Sequence, residues 1–334
     1  MHRVESSSSR TRVERGALRL IQIARHPHVE GDRTSKQNAN NRAAVWFARF
    51  QLFLLFMLGS AAAEQPGKTL IVVAHPDDEY YCASTVYKMA VQLGGTVDEL
   101  IITNGEGGYR YSTLAAAYYK KPLTSEAVGR RELPAIRRRE AINAGKVLGL
   151  RSHYFLDQVD QHFTTDERDG AKYGWKSDLI SSRIQALIRQ EKYRYVFALL
   201  PRATSHGYHQ AATALAASAI HALPPNLRPV LLGFDTSPAR FEPLPTEVFP
   251  QTWQLDYRFA FDRTTKFGFR DALSYQIVVD WMIAEHKSQG LLQTMDGRDP
   301  KEYIWVDLSS SPQAKKSADS LFRLLSQDVT HNDK

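Results

Sequence analysis

The sequence predicts an α/β fold, a mostly parallel sheet with helices on both faces, and three observations carry that expectation. Short apolar runs alternate with helical stretches from Lys68 onward, several of those runs are continuously apolar, and turn residues such as Gly94-Gly95 and Gly149 separate them. A continuous apolar run suits a strand buried on both faces, and parallel neighbours need long crossover connections. The layout is Rossmann-like, and such sheets collect their ligands at the carboxyl ends of the strands.

In chain order, residues 69–74 predict the first strand, and 82–93 a helix that stops at Gly94-Gly95. Residues 97–103 read as a second strand followed by a glycine-rich loop over 104–108. A helix is expected over 134–148, with Pro134 in its first turn and Gly149 as its left-handed C-terminal cap. Then come a strand at 153–156, a helix at 179–190, a strand at 195–200, a helix at 209–221 and a strand at 229–234. Residues 235–260 read as irregular or as a β-ribbon, and 265–292 as helical. Residues 64–334 are expected to form one domain with a helical extension at its C-terminal end.

The chain has 334 residues, 43% hydrophobic and 24% charged, which suits a globular protein. Its formal charge of +7 is unevenly placed. Residues 1–63 hold ten Lys/Arg and four Asp/Glu, leaving 33 against 32 for residues 64–334. The folded part is therefore nearly neutral and requires no nucleic-acid partner. A single cysteine, Cys82, excludes an intrachain disulfide and any zinc cluster built on cysteines, so a bound metal needs His and carboxylate donors.

Residues 46–63 have the pattern of a signal peptide. Arg42 and Arg49 supply a basic region, residues 51–58 an apolar core, and Ala61-Ala62-Ala63 a small-residue cleavage site, so 1–63 reads as a leader cut near Ala63. The apolar run is short against the roughly 20 residues of a membrane helix. The expectation is export to a periplasmic or extracellular space with no stable span after cleavage; a cytoplasmic protein, or one anchored by an uncleaved signal, is the alternative.

Directly after the first strand stand His75, Asp77, Asp78 and Glu79. Four ionisable groups in five residues at a strand's carboxyl end are hard to explain by packing; an Asp that caps the next helix accounts for one of them. An imidazole and a carboxylate three residues apart can converge on a cation and leave a second carboxylate to act on water. Two further histidines, His206 and His209, follow the strand at 195–200. With His209 added to His75 and Asp78, three ligands leave an open position for water, the usual arrangement of catalytic zinc.

The run Ala74-His75-Pro76-Asp77-Asp78-Glu79 and the later His206-Gly207-Tyr208-His209 resemble the PIG-L/LmbE-like deacetylase family. Further landmarks are the loop 103–108, Arg137-Arg138-Arg139-Glu140, Phe155-Leu156 followed by Asp160, and His286-Lys287-Ser288-Gln289, over roughly residues 68–290. The resemblance implies a zinc-dependent hydrolase that removes an acyl group from the amide nitrogen of an N-acetylglucosamine-type sugar or glycoconjugate. It implies Zn2+ on His75, Asp78 and His209, Asp77 as general base, His206 as oxyanion donor or proton donor, and Arg137 and Tyr109 against the substrate. One departure stands out: Gly207-Tyr208 replaces the Pro-Asp that the family has between its two late histidines, which removes a carboxylate expected to orient the imidazoles. Two other readings are a carbohydrate-binding descendant without catalysis and a zinc hydrolase for another bond, such as a phosphoester. The oligomeric state is left open.

Overall fold

A computed structural model of the chain describes residues 65–237, 253–294 and 299–327. The predicted leader 1–63, and within 235–260 the stretch 238–252, lie outside the described residues.

The central sheet has seven strands: β1 (Thr69–Val73), β2 (Val97–Thr103), β3 (Ser152–Gln158), β4 (Tyr195–Leu199), β5 (Val230–Asp235), β6 (Trp253–Asp262) and β9 (Lys301–Asp307). Their order is β3-β2-β1-β4-β5-β9-β6, and the first five run parallel. The chain builds outward from β1 to β3, then returns to add β4 on the other side of β1. This reversal opens a crevice at the carboxyl ends of β1 and β4, where doubly wound sheets bind ligands.

The alternation along β1 explains why it reads as one apolar block. Ile71 and Val73 face one core, Leu70 and Val72 the other, and all four are at most 2% exposed. The first core lies under α1 (Ala83–Tyr87), α3 (Glu126–Leu148), α7 (Tyr275–Glu285) and α9 (Ala314–Ser326). The second lies under α5 (Ser177–Glu191) and α6 (Gly207–His221). Short helices α2 (Thr113–Tyr119), α4 (Asp169–Lys172) and α8 (Gly290–Gln293) complete the α-helices among the described residues. None of the described helices is long and apolar enough to cross a membrane.

Several expectations need correction. The helix predicted from Pro134 begins at Glu126 and runs through that proline. Proline's missing N–H costs one bond, to the carbonyl four residues back, and packing of Leu133 and Ile136 against Tyr109 and Ala115 holds the helix across it. Gly149 does end it in the left-handed region, at φ 76°. The loop after β2 is wound into a helical turn over Glu106–Tyr111. Residues 265–292, expected to be helical, begin with the short pair β7 (Lys266–Phe267) and β8 (Leu273–Ser274) before α7.

The region after 292 contributes a strand as well as a helix. β9 inserts between β5 and β6, antiparallel to both. It also reaches the site end of the fold: Glu302, fully buried, accepts from the backbone N–H groups of Ser84 (2.7 Å) and Thr85 (2.9 Å). A carboxylate there satisfies unpaired donors at the start of α1 and meets the positive end of its dipole. Arg263, just past β6, neutralises Glu302 at 3.1 Å and donates to the carbonyl of Tyr80 at 2.6 Å.

Candidate active site

The crevice between β1 and β4 holds the polar residues that follow both strands. Asp78 caps no helix; its Oδ2 accepts from the backbone N–H groups of Ala74 (3.0 Å) and His75 (2.8 Å), which folds the turn back on the end of β1. Its other oxygen is thereby aimed across the crevice at His209 Nε2, 3.0 Å away. His75 Nδ1 stands 3.0 Å from the same nitrogen and 3.6 Å from Asp78 Oδ2. His209 is delivered by the first turn of α6, which begins at Gly207.

The donor atoms of His75, Asp78 and His209 lie within 4.8 Å of one another and form the one such group among the described residues. Their chemistry fits a divalent cation. Tetrahedral bonds of zinc length put neighbouring donors roughly 3.4 Å apart, and His209 Nε2 lies 3.0 Å from both His75 Nδ1 and Asp78 Oδ1, close to that value. The surroundings also favour positive charge at this point. Burial opposes charge on His75, but Asp78 and Asp160 outweigh it and raise the imidazole well above its ordinary value. Burial alone would raise Asp78; His209 and His75 reverse that and hold it well below the carboxylate range.

Asp77 has the opposite environment. Among the described residues its carboxylate has no hydrogen-bond partner, and burial and the charge of Asp78 push it up to about 6, against the pull of His286, His75 and Arg137. Two adjacent aspartates thus differ in kind. Asp78 is committed to fixed donors, while Asp77 is poised to take up a proton near neutral pH.

His206 caps α6: its Nδ1 accepts from the N–H of Tyr208 at 3.1 Å. That acceptance puts the hydrogen of the neutral ring on Nε2. Burial and the neighbouring His75 and His209 lower its pKa to about 3, and a bound cation acts in the same direction. The ring is held between Phe163 (4.9 Å between centroids) and His75 (5.0 Å). A neutral imidazole with Nε2–H free can donate a hydrogen bond, but carries no spare proton to give away.

Tyr208, at the position where the family has a carboxylate, is fully buried, with its ring 5.0 Å from Trp175 and 5.1 Å from His206. It orders the imidazole by packing. The carboxylate near His75 comes instead from Asp160, two residues past β3, whose Oδ1 is 3.8 Å from His75 Nε2. His75 outweighs the effect of burial on Asp160 and lowers its carboxyl to about 2. Two features aim it. A bulge near the end of β3 shifts the register against β2 around Asp157, which adopts a left-handed φ of 54°. Gly107 then approaches closely, its N–H donating to Asp160 Oδ2 at 3.1 Å; a Cβ on Gly107 would lie 2.8 to 2.9 Å from Asp160 atoms.

Arg137 and Glu140 both face inward from α3, whereas Arg139 is exposed and Arg138 pairs with Asp157 over the ring of Phe155. Arg137, 3% exposed, donates to the carbonyls of Gly105 and Ser288 (3.3 Å) and lines the cavity. Glu140 accepts from Ser288 N–H (3.0 Å) and the Tyr119 hydroxyl (2.8 Å). His286, fully buried, pairs with Glu79 at 2.6 Å, and Gln289 donates to the carbonyl of Pro76 at 3.2 Å. The segment 286–289 therefore clamps the loop that carries His75 to Asp78.

A cavity of about 650 Å3 opens over these groups. It is lined by His75, Asp77, Asp78, His206 and His209 at its floor, and by Tyr109, Arg130, Arg137, Gln161, Phe163 and Leu291 among others on its walls. That volume lies within the range of small-molecule sites. Tyr109, singled out from the sequence, contributes to the wall, and so do Asp160, Phe163, Tyr81 and Gln289, to which the sequence alone assigns no role. For Asp160 a signal existed: it follows a strand's carboxyl end, as His75 and His206 do.

A family model described as PIG-L, GlcNAc-PI de-N-acetylase, matches residues 70–220. Comparison with curated proteins gave no match. Among solved structures, the chain is similar to the N,N'-diacetylchitobiose deacetylase of Pyrococcus horikoshii, at 18% identity and a TM-score of 0.46 over 78% of this chain and 91% of that one. It is also similar to GalB, the 4-carboxy-2-hydroxymuconate hydratase of Pseudomonas putida KT2440, at 16% identity and 0.44, over 72% and 95%. A third similarity is to the A40926 pseudoaglycone deacetylase Dbv21, at 18% identity and 0.45, over 73% and 97%. These likenesses select no reaction, since a hydratase stands beside two deacetylases. Residues 70–220, which hold all three donors together with Asp77, Asp160 and His206, match the PIG-L family, as the motifs within them led one to expect.

Proposed function

We propose that this chain is a zinc-dependent hydrolase that removes an acyl group, acetyl in the first instance, from the amide nitrogen of an N-acetylglucosamine-type sugar or glycoconjugate. The observation that carries the reading is the division of labour at the crevice floor. Three donors meet at one point. Beside them stand a carboxylate raised to about 6 and a neutral imidazole with its Nε2–H free. The description of the matched family supports the amide and the sugar.

His75, Asp78 and His209 would hold the cation, which when bound polarises the amide carbonyl and makes water more acidic. Zinc suits two imidazoles and one carboxylate with a position left open. Asp77 accepts a proton from the attacking water as the new C–O bond forms. His206 Nε2–H donates to the carbonyl oxygen as it gains negative charge, and being neutral throughout, it serves as an oxyanion donor. The C–N bond then breaks, and the proton held by Asp77 passes to the departing nitrogen, leaving an amine and a carboxylic acid that gives its remaining proton to solvent or to the amine. Arg137 and Tyr109 line the cavity that receives the sugar.

Export completes the proposal, on the apolar run 51–58 and the alanines before Glu64; a mature protein whose N-terminus lies upstream of residue 46 contradicts it. The reaction is tested by acetate release from a panel of N-acetylated amino sugars and glycoconjugates, with phosphate esters of the same sugars beside them. Acetate from the amides and no phosphate from the esters is expected. The reverse pattern overturns the reading.

A further inference from the structure

Behind His209 lies a second, smaller cavity of about 190 Å3. It is bounded by the carboxyl ends of β4 and β5, through Leu199, Leu200 and Phe234, and by Arg202, Thr204 and Asp235. Three residues, Tyr81, Ser205 and His209, line both cavities, so one of the three donors, His209, stands in their common wall. Tyr81 is fixed there by edge contacts with Tyr80 (5.5 Å between centroids) and His209 (6.4 Å).

An amide held by its carbonyl at that wall has its nitrogen and its acyl carbon on opposite sides of the carbonyl carbon. The two substituents must enter different spaces. The larger cavity has the volume for a sugar and carries Asp77 and His206 on its floor. That leaves the smaller one for the acyl side. Its charges do not call for an ionic ligand, because Arg202 and Asp235 neutralise each other at 2.8 Å and Asp235 also accepts from Ser237 N–H at 3.0 Å. Its volume is about six times the roughly 30 Å3 share of one liquid water, more than a methyl group fills.

We propose that the cavity behind His209 is the acyl subsite, and that it admits unbranched acyl chains longer than acetyl, to about four carbons. This rests on the deacylase reading above, and it adds the acyl group as a determinant of specificity set by β4, β5 and the 202–205 turn. Thr204 is exposed at the cavity's edge, so a large side chain there fills the space without entering the core.

The test uses the metal-loaded protein and its Thr204→Phe variant, with two readouts. The first is kcat/KM for acetyl, propionyl and butyryl amides of one amino sugar. The second is calorimetric binding of acetate and butyrate, which needs no turnover. Forcing surplus methylenes into a filled pocket costs about 10-fold or more. The expected results are a butyryl amide cleaved within about 10-fold of the acetyl amide by the parent protein, and a butyryl-to-acetyl ratio about 10-fold lower or less in the variant. Butyrate binding should weaken by a similar factor in Thr204→Phe. Butyrate that binds the two proteins equally overturns the acyl subsite. Butyrate binding that weakens in the variant, with no amide cleaved by either protein, sinks the deacylase reading and leaves the subsite standing.

Discussion

The crevice floor and the layer directly beneath it are built from the same residue types but treated differently. On the floor, His75, His209 and Asp78 turn donor atoms toward one another, and Asp77 keeps a carboxylate without a hydrogen-bond partner among the described residues. One layer down, His286 is paired with Glu79 at 2.6 Å, Arg263 with Glu302 at 3.1 Å, and Glu140 with Ser288. The floor keeps its groups available for chemistry, and the underlayer spends its groups on position. Buried charges paired in this way cost little while paired and a great deal when one partner is lost. The contrast therefore predicts that substitutions on the floor remove activity and spare the fold, while substitutions beneath it unfold the protein.

The largest effect is expected at Asp77. Asp77→Asn should lower kcat by about 100- to 10,000-fold, the usual worth of a positioned base, with the melting temperature unchanged within error. A variant that loses stability along with activity would erase the distinction between the two layers. His286→Ala should act the other way, lowering the unfolding free energy in denaturant titration by about 3 to 5 kcal/mol because Glu79 is left buried and unpaired. Among the described residues, Glu79 Oε2 and His286 Nδ1 already have no hydrogen-bond partner, which leaves little compensation in reserve.

Cation binding should stabilise the fold through the floor alone. At a free zinc concentration 100 times its dissociation constant the gain is about 2.7 kcal/mol, read as a higher melting temperature that His209→Ala abolishes. Asp160→Asn should weaken zinc binding by about 10- to 100-fold while leaving the fold intact, as expected for a group that orients a ligating imidazole. Unchanged affinity would return that task to the packing of Tyr208. The smallest effect is on pH. A base raised to about 6 is protonated and idle below that value, so kcat/KM should rise with pH through about 6, or lower where the bound cation stabilises the carboxylate. A rate that falls over the same interval assigns the base elsewhere.

The parts of this arrangement differ in how plainly the sequence announces them. Strands β1, β4 and β5 are visible because both their faces are buried, which leaves nearly continuous apolar runs, and β2, despite Asp98 and Glu99 near its start, is visible through Leu100, Ile101 and Ile102. β9 is not visible in that way: Lys301, Glu302 and Asp307 interrupt its apolar residues, and Glu302 is buried only because Arg263 and the start of α1 receive it. The first two turns of α3 are rich in charge, and Pro134 imitates a helix start. Asp160 depends on a bulge in β3 that has no sequence signature. The three residues were legible as a set, because the segments that follow two apolar strands carry them, His75 and Asp78 after β1 and His209 in the first turn of the helix after β4. How the adjacent aspartates divide came from the resemblance and not from the residues themselves, since it is decided by two backbone N–H groups that only the folded turn presents to Asp78.

The central claim is that a cation held by His75, Asp78 and His209 is needed for amide cleavage. The most direct measurement strips the purified protein with a chelator and titrates zinc back while following both bound metal and acetate released from an N-acetylglucosamine conjugate. Activity that vanishes on stripping and returns in step with one equivalent of zinc, with neither signal recovered in His209→Ala, is the predicted result. Undiminished acetate release from protein shown to be metal-free would contradict it.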